Sequence, residues 1–304
     1  MSELPLPPTS RPLGGSGLSI SPLAWGMWRL VDEGCDVGDT VRLIHAALEY
    51  GITLLDTADI YGFDGAAGFG AAEELLGQAL RQDPALKGRC VVATKGGIRP
   101  PIPYDQSPAY LAHAIDASLQ RLSVERIDLW QIHRPDLLAH PQEVARALDD
   151  AVAAGKIAAL GVSNFTTAQV AALGAFLGTP LATTQPEISP IRITCIENGE
   201  LDQAMQIGLV PLAWSPLAGG RIIAPETARE RAVATALDAV AKPQGVSRAA
   251  AAYGWLMAHP AGIVPIVGSQ RPERIAEAAT ALTLRWTRQD WYAVLIAARG
   301  APLP

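Results

Sequence analysis

Four residues on separate segments, Asp56, Tyr61, Lys95 and His133, supply the side-chain types that could move a proton onto an oxygen: a carboxylate, a phenol, an ammonium and an imidazole. Each stands where a short apolar run has just ended, in LLDTADIY, VVATKGG and DLWQIHRPD. Parallel strands covered on both faces read as nearly continuous apolar runs, and the chemistry of such folds collects just past their carboxyl ends. Singly, each residue has a plain structural reading. Asp56 suits a turn or helix cap, Tyr61 beside Gly62 a loop aromatic with a wetted hydroxyl, Lys95 a snorkelling cation, and His133 a satisfied strand-end histidine. Jointly they converge on one mouth if the strands close into one barrel.

The 304 residues, 49% of them apolar, suffice for a large core, either as two modest domains or as one barrel. A net charge of -6 without any block of Lys and Arg argues against a nucleic-acid or anionic-membrane partner. Cys35, Cys90 and Cys195 are scattered and form no C-x-x-C pair, which points to reduced thiols rather than a disulfide framework or zinc site. The start, MSELPLPPTSRPLGG, lacks an apolar signal core, and no later run is long enough to span a membrane. A soluble, cytoplasmic protein is the expectation. His45, His113, His133, His140 and His259 include no pair at helical ligand spacing beside an acid, so no catalytic metal is expected. Oligomeric state is not readable.

The elements that must position the four residues follow from alternation of period. Strands are expected at 23–26, 51–56, 90–94, 127–132, 157–162, 181–185, 209–214 and 263–267. Helices are expected at 40–50, over AAEELLGQALR, and at 109–122, 141–154, 167–177, 201–207 and 247–258. Gly51 suits the end of the first helix and Pro141 the first turn of another. Eight right-handed strand–helix repeats close into a single (β/α)8 TIM barrel over residues 1–304. Outside the repeat, LGGSGLSI reads as an N-terminal β-hairpin plugging the barrel bottom, with turn chemistry at Gly15-Ser16-Gly17. TRQDWYAVLIAAR reads as an extra C-terminal amphipathic helix.

With that frame in place, the chain resembles the aldo-keto reductase superfamily almost end to end, and its ending looks most like a bacterial subgroup of NADPH-dependent reductases. LGGSGLSISPLAWGMW looks like the family's opening signature. LLDTADIYG, VVATKGG, DLWQIHRPD, GVSNF, TTQPEISP, AWSPLAGG and VPIVGSQRPERI follow in family order. Neither G-x-G-x-x-G nor G-x-x-x-x-G-K-[ST] occurs, so no Rossmann fingerprint or P-loop competes. The resemblance implies reduction of aldehydes or ketones with NADPH, NADH being the other option. Tyr61 would act as general acid, Lys95 would favour its phenolate, Asp56 would hold Lys95, and His133 would orient the substrate carbonyl.

It further implies cofactor contacts. Ser163, Asn164 and Gln185 match the set that holds the nicotinamide carboxamide, Ser163-Asn164 having a helix N-cap as the plainer reading. Trp214 matches the aromatic that stacks on the nicotinamide, a position often occupied by tyrosine. Gly26 and Trp28 lie at the first strand and its loop. Ser215, Leu217 and Gly219 open a loop whose amides can approach a pyrophosphate, and Arg221 is either a phosphate partner or a solvated cation. Gly268, Ser269, Gln270, Arg274 and Glu277 match the adenosine end, where Arg274 suits adenine and a 2′-phosphate. Gly268 replaces a frequent lysine and Ala278 an asparagine.

For a small-molecule carbonyl substrate, Trp28, Phe63, His133 and Arg134 are the candidate wall. Arg134 suits an anionic group, although a salt bridge to Asp136 is the preferred reading. Three other readings stand beside the reductase: a cofactor-binding regulatory or sensory subunit with little turnover, an alcohol or sugar dehydrogenase running in reverse, and a different barrel enzyme using Lys95 as a Schiff base.

Overall fold

The computed structural model describes residues 3–303. A hairpin of β1 (Arg11–Pro12) and β2 (Ser19–Ile20) precedes β3 (Ala24–Gly26), α1 (Val37–Glu49), β4 (Leu54–Asp56), α2 (Ala71–Gln82), β5 (Val91–Gly96) and α3 (Pro108–Leu122). Next come β6 (Ile127–Ile132), α4 (Pro141–Ala153), β7 (Ile157–Ser163), α5 (Thr167–Gly174), β8 (Leu181–Gln185), the single turn α6 (Thr194–Glu197) and α7 (Glu200–Ile207). The chain ends with β9 (Val210–Ala213), α8 (Ala228–Ala241), α9 (Arg248–Met257), β10 (Val264–Val267), α10 (Pro272–Ala279) and α11 (Arg288–Arg299). Strands β3 to β10 pair in parallel in chain order, and β10 closes on β3. The (β/α)8 barrel is thus the architecture.

The barrel is filled by inward-facing small and branched residues. Leu54, Val91, Leu129, Val210, Leu212, Val264 and Ile266 interleave with Ala24, Ala93, Ala159 and Ala182. Leu13 and Ile20 of the hairpin are fully buried in that same cluster. Gly14 lies so close that an added Cβ would sit 2.8 Å from Ala182 Cα. The hairpin therefore plugs the amino-terminal end, as the turn chemistry predicts.

Helix ends follow local hydrogen-bonding rules. Asp36 and Asp39 form a reciprocal capping box, so α1 begins at Val37 rather than Thr40. Tyr50 is its C-cap, and Gly51, at φ +72°, turns the chain toward β4. Proline opens α4 as expected. Helix α5 ends at Gly174, three residues short of the expected 177, although Phe176 and Leu177 still donate to Leu173 O. Besides the single turn α6, two helices escape the sequence reading, α8 and α10. The former is an addition between the seventh and eighth barrel strands, and its partner is the C-terminal helix α11.

Candidate active site

Strand register brings the chemistry to one end. Asp56 closes β4, Lys95 lies one residue before the end of β5, His133 follows β6, Ser163 closes β7, Gln185 closes β8 and Trp214 follows β9. Lys95, Gln131, Gly161 and Thr183 stand side by side across four strands. Gly161 is required there, since an added Cβ would lie 2.0 Å from Thr183 Oγ1. Tyr61 comes from the loop after β4. Its carbonyl accepts from Ala72 N, and Gly70 N donates to Asp59 O, so the loop is pinned to the start of α2.

The four residues meet. The fully buried Lys95 Nζ donates to Asp56 Oδ2 at 2.7 Å, to Thr57 O at 2.8 Å and to Tyr61 Oη at 3.0 Å. Those three bonds use every proton of an ammonium. Gln185 Nε2 donates to the other Asp56 oxygen at 2.9 Å. The His133 ring lies edge-on to Tyr61, with centroids 5.8 Å apart.

Burial sets the protonation states. It lowers the Lys95 pKa, but Asp56 and then Tyr61 outweigh it, so the ammonium is held above its ordinary value. For Tyr61, burial is the largest influence and raises the phenol above its ordinary value, with Lys95 opposing. Lys95 thus favours the phenolate, as the resemblance implies, but desolvation of the phenolate costs more than the ammonium returns. The phenol stays protonated and Lys95 limits the cost of its ionisation. Burial, then Lys95 and Arg134, holds His133 well below the ordinary imidazole value, so the ring is neutral. Its Nδ1 is buried without a partner among the described residues.

Residues expected on the cofactor side lie around the same rim. Ser163 Oγ donates to Gln185 O at 2.8 Å. Asn164, at φ +60°, donates to His133 O at 3.1 Å and accepts from Trp214 Nε1 at 3.0 Å. Asn164 is therefore a brace and not a helix cap; Thr166 caps α5, with Gln169 completing the box. Ser215 and Ala218 are also left-handed, a conformation costing about 1 kcal/mol or more without glycine. The amides of Ser215 and Leu217 have no main-chain acceptor among the described residues. Gln270 Nε2 donates to Gly26 O, leaving Gln270 Oε1 buried and unpartnered. Strain, free amides and an orphaned acceptor in one arc fit an extended ligand carrying amide and phosphate groups.

Several expected residues are engaged otherwise. Arg221 pairs with Glu230 at 3.3 Å and also donates to Ala218 O. Arg274 pairs with Glu277 at 2.6 Å. Ser269 O accepts from Trp25 Nε1, and Gly268 is exposed. Trp28 is 57% exposed and meets Tyr61 edge-on at 5.0 Å, as a pocket wall requires. Phe63 instead packs on Phe69 and lines a separate cavity of about 290 Å³ with Asp59, Arg99, Tyr110 and Arg121. The Arg134–Asp136 salt bridge does not form: Asp136 accepts from Gln106 N and Leu138 N, and Arg134 lies 5.8 Å over the Trp214 ring.

Sequence reasoning missed a second buried set behind the tetrad. Glu73 accepts from Thr94 Oγ1 at 2.5 Å and from Arg121 Nε at 2.6 Å. Beside it, burial and then Glu73 push the Asp59 carboxyl well up. The only sequence signal was the doubled acid of AAEELLG, which reads equally as favourable charge in a first helical turn. Among the described residues no cluster able to hold a metal ion occurs and no helix is long and apolar enough to cross a membrane.

Barrel, sunken phenol–ammonium–carboxylate chain and neutral imidazole together define a carbonyl oxidoreductase. The aldo/keto reductase family profile matches residues 22–297, and the chain belongs to that family. It is 69% identical over 304 residues to a 6-dehydroglucose reductase of Novosphingobium aromaticivorans, covering 100% of both chains. It is 36% identical over 293 residues to a 6-dehydroglucose reductase of Agrobacterium fabrum, covering 93% of this chain and 96% of that one. Among solved structures, a glycerol dehydrogenase from Gluconobacter oxydans superposes with a TM-score of 0.81 at 28% identity, covering 99% of this chain and 97% of that one. A thermostable aldo-keto reductase shares the fold, with a TM-score of 0.80 at 22% identity over 95% of this chain and 99% of its own. The protein is an NAD(P)H-dependent oxidoreductase acting on small carbonyl substrates.

Proposed function

We propose that the protein reduces a sugar-type aldehyde to the primary alcohol, using NADPH, with Tyr61 as the proton donor. The observation that carries this reading is the Lys95 ammonium, fully buried and bonded at once to Asp56 and to the Tyr61 hydroxyl. The sugar aldehyde is suggested by the relatives named as 6-dehydroglucose reductases.

The substrate carbonyl oxygen lies between the Tyr61 hydroxyl and the neutral His133 ring, which donates from one nitrogen and accepts no proton. As charge builds on that oxygen, the two donors stabilise it, and such preorganised donors are usually the largest contribution in a reaction of this type. The Tyr61 proton passes to the oxygen. The phenolate left behind is stabilised by Lys95, whose charge is fixed by Asp56, itself held by Gln185. Solvent then returns a proton to Tyr61. A phenol kept protonated favours this direction over alcohol oxidation near neutral pH.

Ser163, Asn164 and Gln185 would hold the carboxamide of the nicotinamide, with Trp214 against the ring and Gly26 and Trp28 at its edge. When bound, the nicotinamide supplies the hydride that reaches the carbonyl carbon. Ser215, Leu217 and Gly219 would meet the pyrophosphate through main-chain amides, with Arg221 beside them. Gly268, Ser269, Gln270, Arg274 and Glu277 would hold the adenosine end. Arg274 supports NADPH over NADH, because breaking an exposed ion pair to meet a 2′-phosphate costs little.

The test is consumption of NADPH, followed at its absorbance band, on 6-dehydroglucose, unsubstituted aldehydes and ketones. Turnover on the sugar aldehyde with kcat/KM at least about tenfold above that for simple aldehydes is expected, a difference that added hydrogen bonds to substrate hydroxyls readily supply. Cofactor binding without any turnover would leave the regulatory reading standing instead.

A further inference from the structure

Arg134 is a cation at the mouth of the site without a carboxylate partner among the described residues. The acid two residues on is occupied by two main-chain amides, and Gln106 Nε2 fixes the Arg134 carbonyl at 2.5 Å. The backbone is therefore held while the guanidinium, half-buried, rests over the Trp214 ring. Trp214 is in turn tied by Asn164 to the His133 carbonyl. A cation over an aromatic face is held weakly enough to be exchanged for an anion. Its charge reaches the reacting groups, since it acts on both Tyr61 and His133.

Building on the reductase reading, we infer that Arg134 is a specificity-determining residue that selects carbonyl substrates bearing a carboxylate a few bonds from the reacting carbon. The geometry is restrictive. A carbonyl oxygen held by Tyr61 and His133 leaves the remainder of the molecule near exposed Trp28, which packs edge-on to Tyr61, and near Arg134, the residue next to His133. A planar carboxylate matches the guanidinium fork with two parallel bonds, which a hydroxyl or an ammonium in place of arginine does not reproduce. Half-burial keeps the guanidinium reachable while reducing the screening that weakens a fully exposed pair. Oxo-acids thus form a substrate class distinct from the neutral sugar aldehyde proposed above.

The experiment compares 3-carboxybenzaldehyde with its isosteric neutral carboxamide, in the wild type and in Arg134→Met and Arg134→Lys. In the wild type kcat/KM for the carboxylate is expected to exceed that for the amide by about tenfold or more, the range of a charge-assisted pair. In Arg134→Met the ratio falls to about one, whatever change the two substrates share; Arg134→Lys retains part of the ratio. The preference also shrinks with added salt. A wild-type ratio at or below one overturns the inference, as does a ratio that survives Arg134→Met. Equal loss on both substrates in that variant also overturns it, since Arg134 would then act through Trp214 and His133 alone. Calorimetric titration of the alcohols 3-(hydroxymethyl)benzoate and 3-(hydroxymethyl)benzamide into the NADPH-loaded protein reads the same preference without turnover. Failure of catalysis on the neutral aldehyde is thereby separated from failure of anion selection.

Discussion

The two sides of the barrel mouth are built on opposite principles. On the β4–β6 side, Asp56, Lys95, Tyr61 and His133 are buried, and each polar hydrogen of Lys95 is assigned. A second buried layer, Glu73 with Thr94 and Arg121, stands behind them. On the β9–β10 side, Arg221 and Arg274 have side chains 54% and 49% exposed and are paired with nearby acids. Pairs of that kind contribute about 0–1 kcal/mol and are readily broken. The contrast teaches where this fold tolerates rearrangement. The groups proposed to react are fixed in advance, because reorganisation during reaction would raise the barrier; the groups expected to meet a large dinucleotide rest on weak partners they can leave.

Substitutions test how far that contrast goes. Tyr61→Phe removes the transferable proton and keeps the ring, so kcat should fall by about 10²–10⁴-fold, while NADPH still quenches protein fluorescence. Unchanged carbonyl reduction would defeat the proton-donor role. Asp56→Asn leaves Lys95 its contacts to Thr57 and Tyr61, so a smaller loss in kcat, of about 10–100-fold, is expected from one charge-assisted bond. A loss as deep as that of Tyr61→Phe would show that the carboxylate does more than hold the lysine. On the exposed side, Arg274→Ala should lower kcat/KM for NADPH by about tenfold and leave that for NADH nearly unaltered. An equal loss for both cofactors would contradict recognition of a 2′-phosphate.

The smallest expected effect is that of pH. His133 gains a proton only well below its ordinary 6.5, and Tyr61 loses its proton only above its ordinary 10.0. The proton donor is thus lost as pH rises through the raised Tyr61 value, and kcat/KM for reduction should vary by less than about twofold between those limits. A bell centred near neutrality in a pH–rate profile would show that ligand binding lowers the phenol far below its position here.

How much of this was legible depended on whether a residue's role was local. The strands β6 and β8 match the expected spans residue for residue, because an apolar run ending abruptly in a chemical group needs no knowledge of the rest of the chain. The convergence of Asp56, Lys95 and His133 on one end of the barrel was readable for the same reason. Helix α8 was not, because alanines scattered around ARERAVATALDAVA blur the stripe of Val233, Leu237 and Val240 on its buried face. The T-x-x-E start at Thr227 and Glu230 was the available sign. Arg134 and Asp136 were misjudged because proximity in sequence suggested pairing, whereas the intervening Pro135 and the amides of Gln106 and Leu138 give the acid a different use. The Glu73–Arg121 pair joins residues 48 apart, which no periodicity reports.

The plug formed by Leu13, Gly14 and Ile20 has a kinetic corollary. With that end corked and the cylinder packed with side chains, the reactant, alcohol and coenzyme of the proposed reaction would share one doorway and queue for it. On the proposed reading, departure of the deepest guest would wait on whatever sits above it, so excess aldehyde is expected to slow the cycle while the groups proposed to transfer the proton stay in place.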